Sequence, residues 1–230
     1  GVTGALTGGT VNGVGISSNI SNFSESILIS NDAGTGTLSS ASNNTGLGFE
    51  VFDDLTSGDD NTGVGHQALA TLTTGSHNTA IGRRTLDANT TGSSNTAVGR
   101  LALSANTTAS NNTAIGLEAM AANTTGNNNS AFGALSLDAN TVGDRNTALG
   151  YKSLTTFNPS SNADTYNTAV GALSLQNLTT GTLNTAVGGQ AMELATTGGS
   201  NTAMGYGALN ANTTASNNTA VGFLALLANT

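Results

Sequence analysis

The residues able to do chemistry in this 230-residue sequence are few and scattered. There are two histidines, His66 and His77, and no cysteine, so thiolate zinc sites, a thiol nucleophile and a disulfide scaffold are all excluded. A zinc site on the two histidines would need a third ligand, and no residue nearby is a candidate. Asp53–Asp54 and "GDDN" at residues 58–61 cluster oxygens, the ligand type calcium prefers. Their spacing is neither that of an EF-hand loop nor that of the G-G-x-G-x-D nonapeptide, which predicts solvated acidic corners instead. Asp53 and Asp59 could serve as a pair of glycosidase carboxylates, but the remaining acids fall on unrelated segments. Serine is plentiful without a G-x-S-x-G elbow, and "GGTVNGVG" at 8–15 lacks the context of a phosphate loop. These residues predict no enzyme, no cofactor and no metal site.

Composition narrows the class further. Charged residues make up 8% and aromatics 4%, Trp is absent and Pro occurs once, while Gly, Ala, Thr, Asn and Ser dominate. Bulky core side chains are too sparse for a conventional packed interior, which leaves disorder or a repeat architecture. The formal charge of −8 includes only five bases, Arg83, Arg84, Arg100, Arg145 and Lys152, and they form no basic stripe. Nucleic-acid binding through phosphate neutralisation is therefore not expected. No run of eighteen apolar residues exists to span a membrane. The chain starts at Gly1 without a signal-peptide pattern, which reads as a processed piece of something longer.

The elements that position these residues come from a repeat. An N-[TS]-[AG]-x-G phrase begins at residues 44, 61, 78, 95, 112, 129, 146, 167, 184, 201 and 218. Every step is 17 residues except the one from 146 to 167, which is 21. Across the copies, position five is always Gly, position three is Ala or Gly, and positions four and nine are always apolar. An invariant Gly points to positive φ at a corner or to close approach of another chain. Positions six and seven vary freely, as solvent-facing positions do; His66 at position six and His77 at position seventeen are expected on the surface.

Stacked copies predict an all-β fold, a parallel β-roll or β-solenoid with one 17-residue repeat per rung. Eleven rungs at ~4.8 Å give a rod about 50 Å long. Aligned Asn side chains at position one would form a hydrogen-bonded ladder, and "NTTG" fits a corner. Alternation within N-T-A-V-G sends positions two and four one way and positions one, three and five the other. The larger residues are expected inside, and the Asn/Ala/Gly face is expected to let another chain approach. Positions six to twelve allow either a second strand or a helical turn. The sparse core predicts packing against other copies of the chain.

With the phrase in view, residues 44–230 resemble the head repeats of trimeric autotransporter adhesins, where S/N-x-A-[IV]-G phrases build a parallel β-roll. They resemble equally the "NTAIG…AL…NTTG" repeats of phage tail fibres and related bacterial trimeric fibre proteins. The position-five Gly, position-three Ala and position-four hydrophobe series carry the resemblance. It implies a left-handed roll, a homotrimer, and an extracellular, cell-surface or virion tail-fibre location. It also implies surface attachment to an unknown receptor, glycan or protein. The 17-residue unit departs from adhesin heads, which commonly use shorter repeats.

Residues 1–43 lack the phrase and read as a cap or junction with short strands, among them "SILIS" at 26–30; residues 44–230 form the repeat domain, with the last copy truncated. The long repeat carries the insertion "TTFNPSSNADTY" at 155–166. Extra residues in one rung must bulge outward, so Phe157, Asn158, Asp164 and Tyr166 are candidate partner contacts. Regular Thr at position two and "TT" at positions thirteen and fourteen raise an alternative, an ice-binding Thr array. Inward-pointing position-two Thr would count against it.

Overall fold

The computed structural model describes residues 9–11, 14–20, 23–30 and 38–229. They form a single parallel β-solenoid of about eleven coils with no helix among the described residues. Each coil contributes one three-residue strand from positions two to four, β5 (Thr45–Leu47) to β15 (Thr219–Val221). Neighbouring strands pair in parallel with like positions opposite one another, as in Thr96↔Thr113, Ala97↔Ala114 and Val98↔Ile115. The expectation "NDAGTGT" leading into the first repeat, at 31–37, lies outside the described residues.

The stack extends one rung before the first phrase. Strand β3 (Phe23–Ser30) contains the expected "SILIS" and pairs in parallel with β5, Leu28 lying opposite Gly46. Ser26 takes the place of the ladder Asn, its hydroxyl accepting from the Asn44 backbone amide at 2.7 Å. The short β4 (Ala41–Ser42) also pairs with β3. On the other side of β3 the sheet turns antiparallel through β2 (Val14–Ile20) and β1 (Gly9–Val11). The hairpin strands therefore occupy the edge on which another parallel coil would otherwise stack.

The buried face is the reverse of the one expected from side-chain size. Position-three Ala is buried in every coil that has it, and Asn at position one is buried beside it in every coil but the last. Position four points outward: Leu47 is 50% exposed and Ile115 37%, whereas Ala114 between its neighbours is at 0%. The reason is volume. Position nine, Leu or Met in most coils and Phe52 in the first, is fully buried in every coil but the last and fills the narrow coil opposite the strand. A Cβ on Gly46 would lie 2.6 Å from the Leu28 side chain and 3.0 Å from the Phe52 ring. The Phe52 coil crowds position three of the next coil as well: a Cβ on Gly63 would lie 2.8 Å from Val51 Cγ1 and 3.4 Å from the Phe52 ring, whereas from the third coil on, position nine is Leu or Met and position three is Ala. Close packing leaves no room for a branched side chain on the inner face.

Positions six to twelve are neither strand nor helix. They run through i→i+3 turns, such as Ala102 N–H to Gly99 O at 3.3 Å and Asn106 N–H to Leu103 O at 3.1 Å. Left-handed residues lie between them at positions seven and nine, Leu101 at φ 60° and Leu103 at φ 51°. Amides in this stretch that the turns do not use bond to adjacent coils, for example Leu103 N–H to Ala119 O at 3.0 Å. The position-five Gly meets both needs read from its invariance. Gly99 has φ 133°, and a Cβ there would lie 2.3 Å from the Gly116 carbonyl oxygen. The close approach is by the next coil of the same chain.

Two amide ladders run through the interior. Asn95 Nδ2 donates to Asn78 Oδ1 at 3.1 Å and to the Ala109 carbonyl at 2.9 Å, while its own Oδ1 accepts the Asn112 backbone N–H at 3.0 Å. This is the expected position-one ladder. A second ladder at position twelve joins Asn89, Asn106, Asn123 and Asn140 at 3.0–3.1 Å. In other coils Leu55, Leu72, Phe157 and Leu178 fill that column. The Asn-Thr-Thr triplets that begin at Asn89, Asn106, Asn123 and Asn212 thus place their Asn in the core.

Candidate surfaces along the rod

Two outer surfaces stand apart from the repeat's structural duties. The first is the outer face of the sheet. Position-four hydrophobes from Leu47 to Val221 form one stripe along the rod, exposed in seven coils and partly exposed at Val64, Val98, Val170 and Val187. The position-two residues run beside them, Thr in every coil but the one with Ser130, and their hydroxyls have no hydrogen-bond partner among the described residues. The other Thr column differs. At position thirteen, Thr73 Oγ1 donates to Thr90 O at 2.9 Å, and Thr90 Oγ1 to Thr107 O at 3.0 Å. Those hydroxyls are committed to holding coils together; the position-two hydroxyls remain available.

The second surface surrounds the insertion in coil seven, and it corrects one expected contact. Phe157 is fully buried in the position-twelve column and cannot touch a partner. Its ring, with Pro159, lies over Gly143, where an added Cβ would meet them at 3.0 and 2.9 Å. The chain leaves the coil only after Asn158, whose exposed Oδ1 accepts from the Thr141 N–H and hydroxyl at 3.2 and 2.6 Å. It returns at Asp164 and Thr165, where Asp144 pairs with Asp164 as an isolated parallel bridge. Thr165 is buried and donates to Asn146 Oδ1 at 2.8 Å, so the ladder continues past the interruption.

Asp164 and Tyr166 remain outside and gather around a residue that sequence reasoning left out. Arg145 Nη1 donates to Asp164 Oδ2 at 2.5 Å and to the Tyr166 hydroxyl at 2.5 Å. The Tyr166 hydroxyl donates in turn to Asp164 Oδ2 at 3.1 Å, and the guanidinium lies 5.5 Å from the ring centroid. Nothing in the linear sequence marked Arg145, because it sits 19 residues before Asp164; only the stacking register makes them neighbours.

The remaining chemical candidates are dispersed by the stacking. His66 packs its ring 5.2 Å from Phe49, and His77 Nδ1 lies 3.6 Å from Asp60 Oδ2. Asp59 Oδ1 accepts from Ser42 N–H and Oγ at 2.8 Å, holding a corner, and Asp54 is exposed. No three His, Cys, Asp or Glu side chains converge as metal ligands among the described residues. Arg84 pairs with Asp87 and Arg100 with Glu118, each at 2.7 Å. Burial raises the Asp138 carboxyl above its ordinary value, opposed by the Thr155 hydroxyl that donates to it at 2.5 Å.

Comparison with known proteins finds no matching family model, no matching curated protein and no matching solved structure. A functional reading therefore rests on these surfaces.

Proposed function

We propose that this chain is a structural and adhesive fibre segment: a left-handed β-roll assembled as a homotrimer, displayed on a cell surface or virion for attachment. The observation that carries the reading is the outer stripe of position-four hydrophobes, continuous over all eleven coils. A contiguous exposed apolar patch of this extent marks an interaction surface. A straight stripe along a rod is best covered by the same stripe on parallel copies, because each rung then meets an equivalent rung. This inverts the expected interface: the Thr/hydrophobe face meets other chains, and the Asn/Ala face is internal. The test is charge insertion on the stripe. Val98→Asp with Ile115→Asp should dissociate the assembly to single chains without loss of β-solenoid circular dichroism. An unchanged mass for the double variant counts against this interface.

One observation favours the ice-binding alternative: position-two Thr hydroxyls face outward and unpartnered, at the regular ~4.8 Å rung spacing. The objection that they point inward does not hold in the folded chain. Against it, the neighbouring column alternates Val and Ile with Phe132, Leu149 and Met204, which roughens a face that must match a lattice. Thermal hysteresis separates the readings: activity at micromolar protein supports ice binding, and its absence supports the fibre.

A further inference from the structure

The last corner before each new phrase is left-handed in all ten coils that have it, with φ from 50° at Tyr166 to 63° at Asn217. Most coils place Asn, Asp, Ser or His there; Asn and Asp especially suit this backbone, because their short side chains bond locally. Three successive coils depart from this, with Arg145, Tyr166 and Leu183 at the same corner. All three side chains are exposed, Leu183 by 56%, so neither local bonding nor burial accounts for them. The insertion returns to the coil beside them and delivers Asp164 to Arg145 and Tyr166. Two independent departures from the repeat therefore meet at one spot, and stacking sets the three corner residues about 4.8 Å apart per rung.

We propose that Arg145, Asp164, Tyr166 and Leu183 form a carbohydrate-binding site that takes a saccharide laid along the rod. Sugar hydroxyls both donate and accept, and the patch offers a held guanidinium donor, a carboxylate acceptor and a phenol that does both. The exposed Tyr166 ring and Leu183 side chain supply apolar surface for the C–H face of a pyranose. A phosphate or sulfate ligand fits less well, because Asp164 and the adjacent Asp144 oppose it on a chain of net charge −8. The site deepens the attachment reading and rests on it, since it names the chemistry through which the rod would hold a surface.

The test uses the full chain on an array of immobilised neutral and acidic oligosaccharides, followed by NMR titration with any saccharide retained. The comparison is the triple variant Arg145→Asn, Tyr166→Asn, Leu183→Asn, which restores corner residues suited to the left-handed backbone; thermal unfolding checks that the coil survives. Binding to the native chain should shift the Tyr166 ring signals and leave those of Tyr151 and Tyr206 in place. Affinity of the triple variant should fall about tenfold or more. The proposal is overturned if no saccharide is retained, if the variant binds equally, or if the shifts lie elsewhere. Adhesion of labelled rods to whole bacterial and animal cells separates it from the reading it rests on. Equal adhesion by the triple variant removes this patch and leaves attachment standing; saccharide binding without adhesion of the native chain removes attachment and leaves the patch.

Discussion

At the residue scale, the position-five Gly and position-one Asn carry the most structural weight per atom. In Gly99→Ala, a Cβ would meet the Gly116 carbonyl at 2.3 Å on a backbone with φ 133°. The variant should lose about 2–4 kcal/mol in denaturant unfolding, the combined cost of strained backbone and overpacking. Asn112→Ala removes the acceptor of the Asn129 N–H, leaving that buried donor unpaired, and takes one of two donors from the Gly126 carbonyl, which keeps Asn123 Nδ2. Its expected cost, about 1–3 kcal/mol, is measurable the same way. Asp138 supplies a pH prediction. Its folded-state carboxyl titrates higher than in the unfolded chain, chiefly through burial, so folding favours the protonated form. The stability it contributes is therefore full below the unfolded value and lost as pH rises through the raised folded one. Asp138→Asn keeps an acceptor for Thr155 and should raise stability at pH 7 while narrowing the pH 4 to pH 7 difference.

At the element scale, the repeat period, the strand at each N-T-A-x-G phrase and the position-one ladder were legible in the sequence, because stacking in register imprints itself as identity between copies. Which face lies inside was not. Alternation over three residues separates two faces, but size alone would send Val98 inward and Ala97 outward. The deciding fact is that Leu103, from another part of the same coil, already fills the interior. The turns at positions six to twelve were equally hidden, since their left-handed residues are Leu, Met or Phe52 at position nine and mixed types such as Gln67, Arg84 and Leu101 at position seven, which local preference does not assign to such corners. Of the insertion's candidate contacts, Phe157 belongs to the core and Arg145 joins from a neighbouring coil. Two variants separate core from loop in coil seven. Phe157→Ala should cost about 3–5 kcal/mol as a core cavity. Deleting residues 160–162, all exposed, should change stability by less than about 1 kcal/mol, because a shortened surface loop costs little. Comparable losses from both would mean the loop is part of the packed structure.

At the scale of the whole molecule, the rod is a scaffold whose identical rungs leave two kinds of free surface. The uniform one is the Thr/hydrophobe stripe, repeated because every rung repeats it. The local one is the patch at coils six to eight, where the repeat is broken. Uniform surface suits assembly of parallel copies, and local surface suits recognition of a ligand. The assembly claim is the one on which the rest depends, and sedimentation equilibrium of the purified chain tests it most directly. The account predicts a single species of three chain masses that persists at submicromolar concentration. A folded single chain, with its position-four stripe facing water, would contradict it.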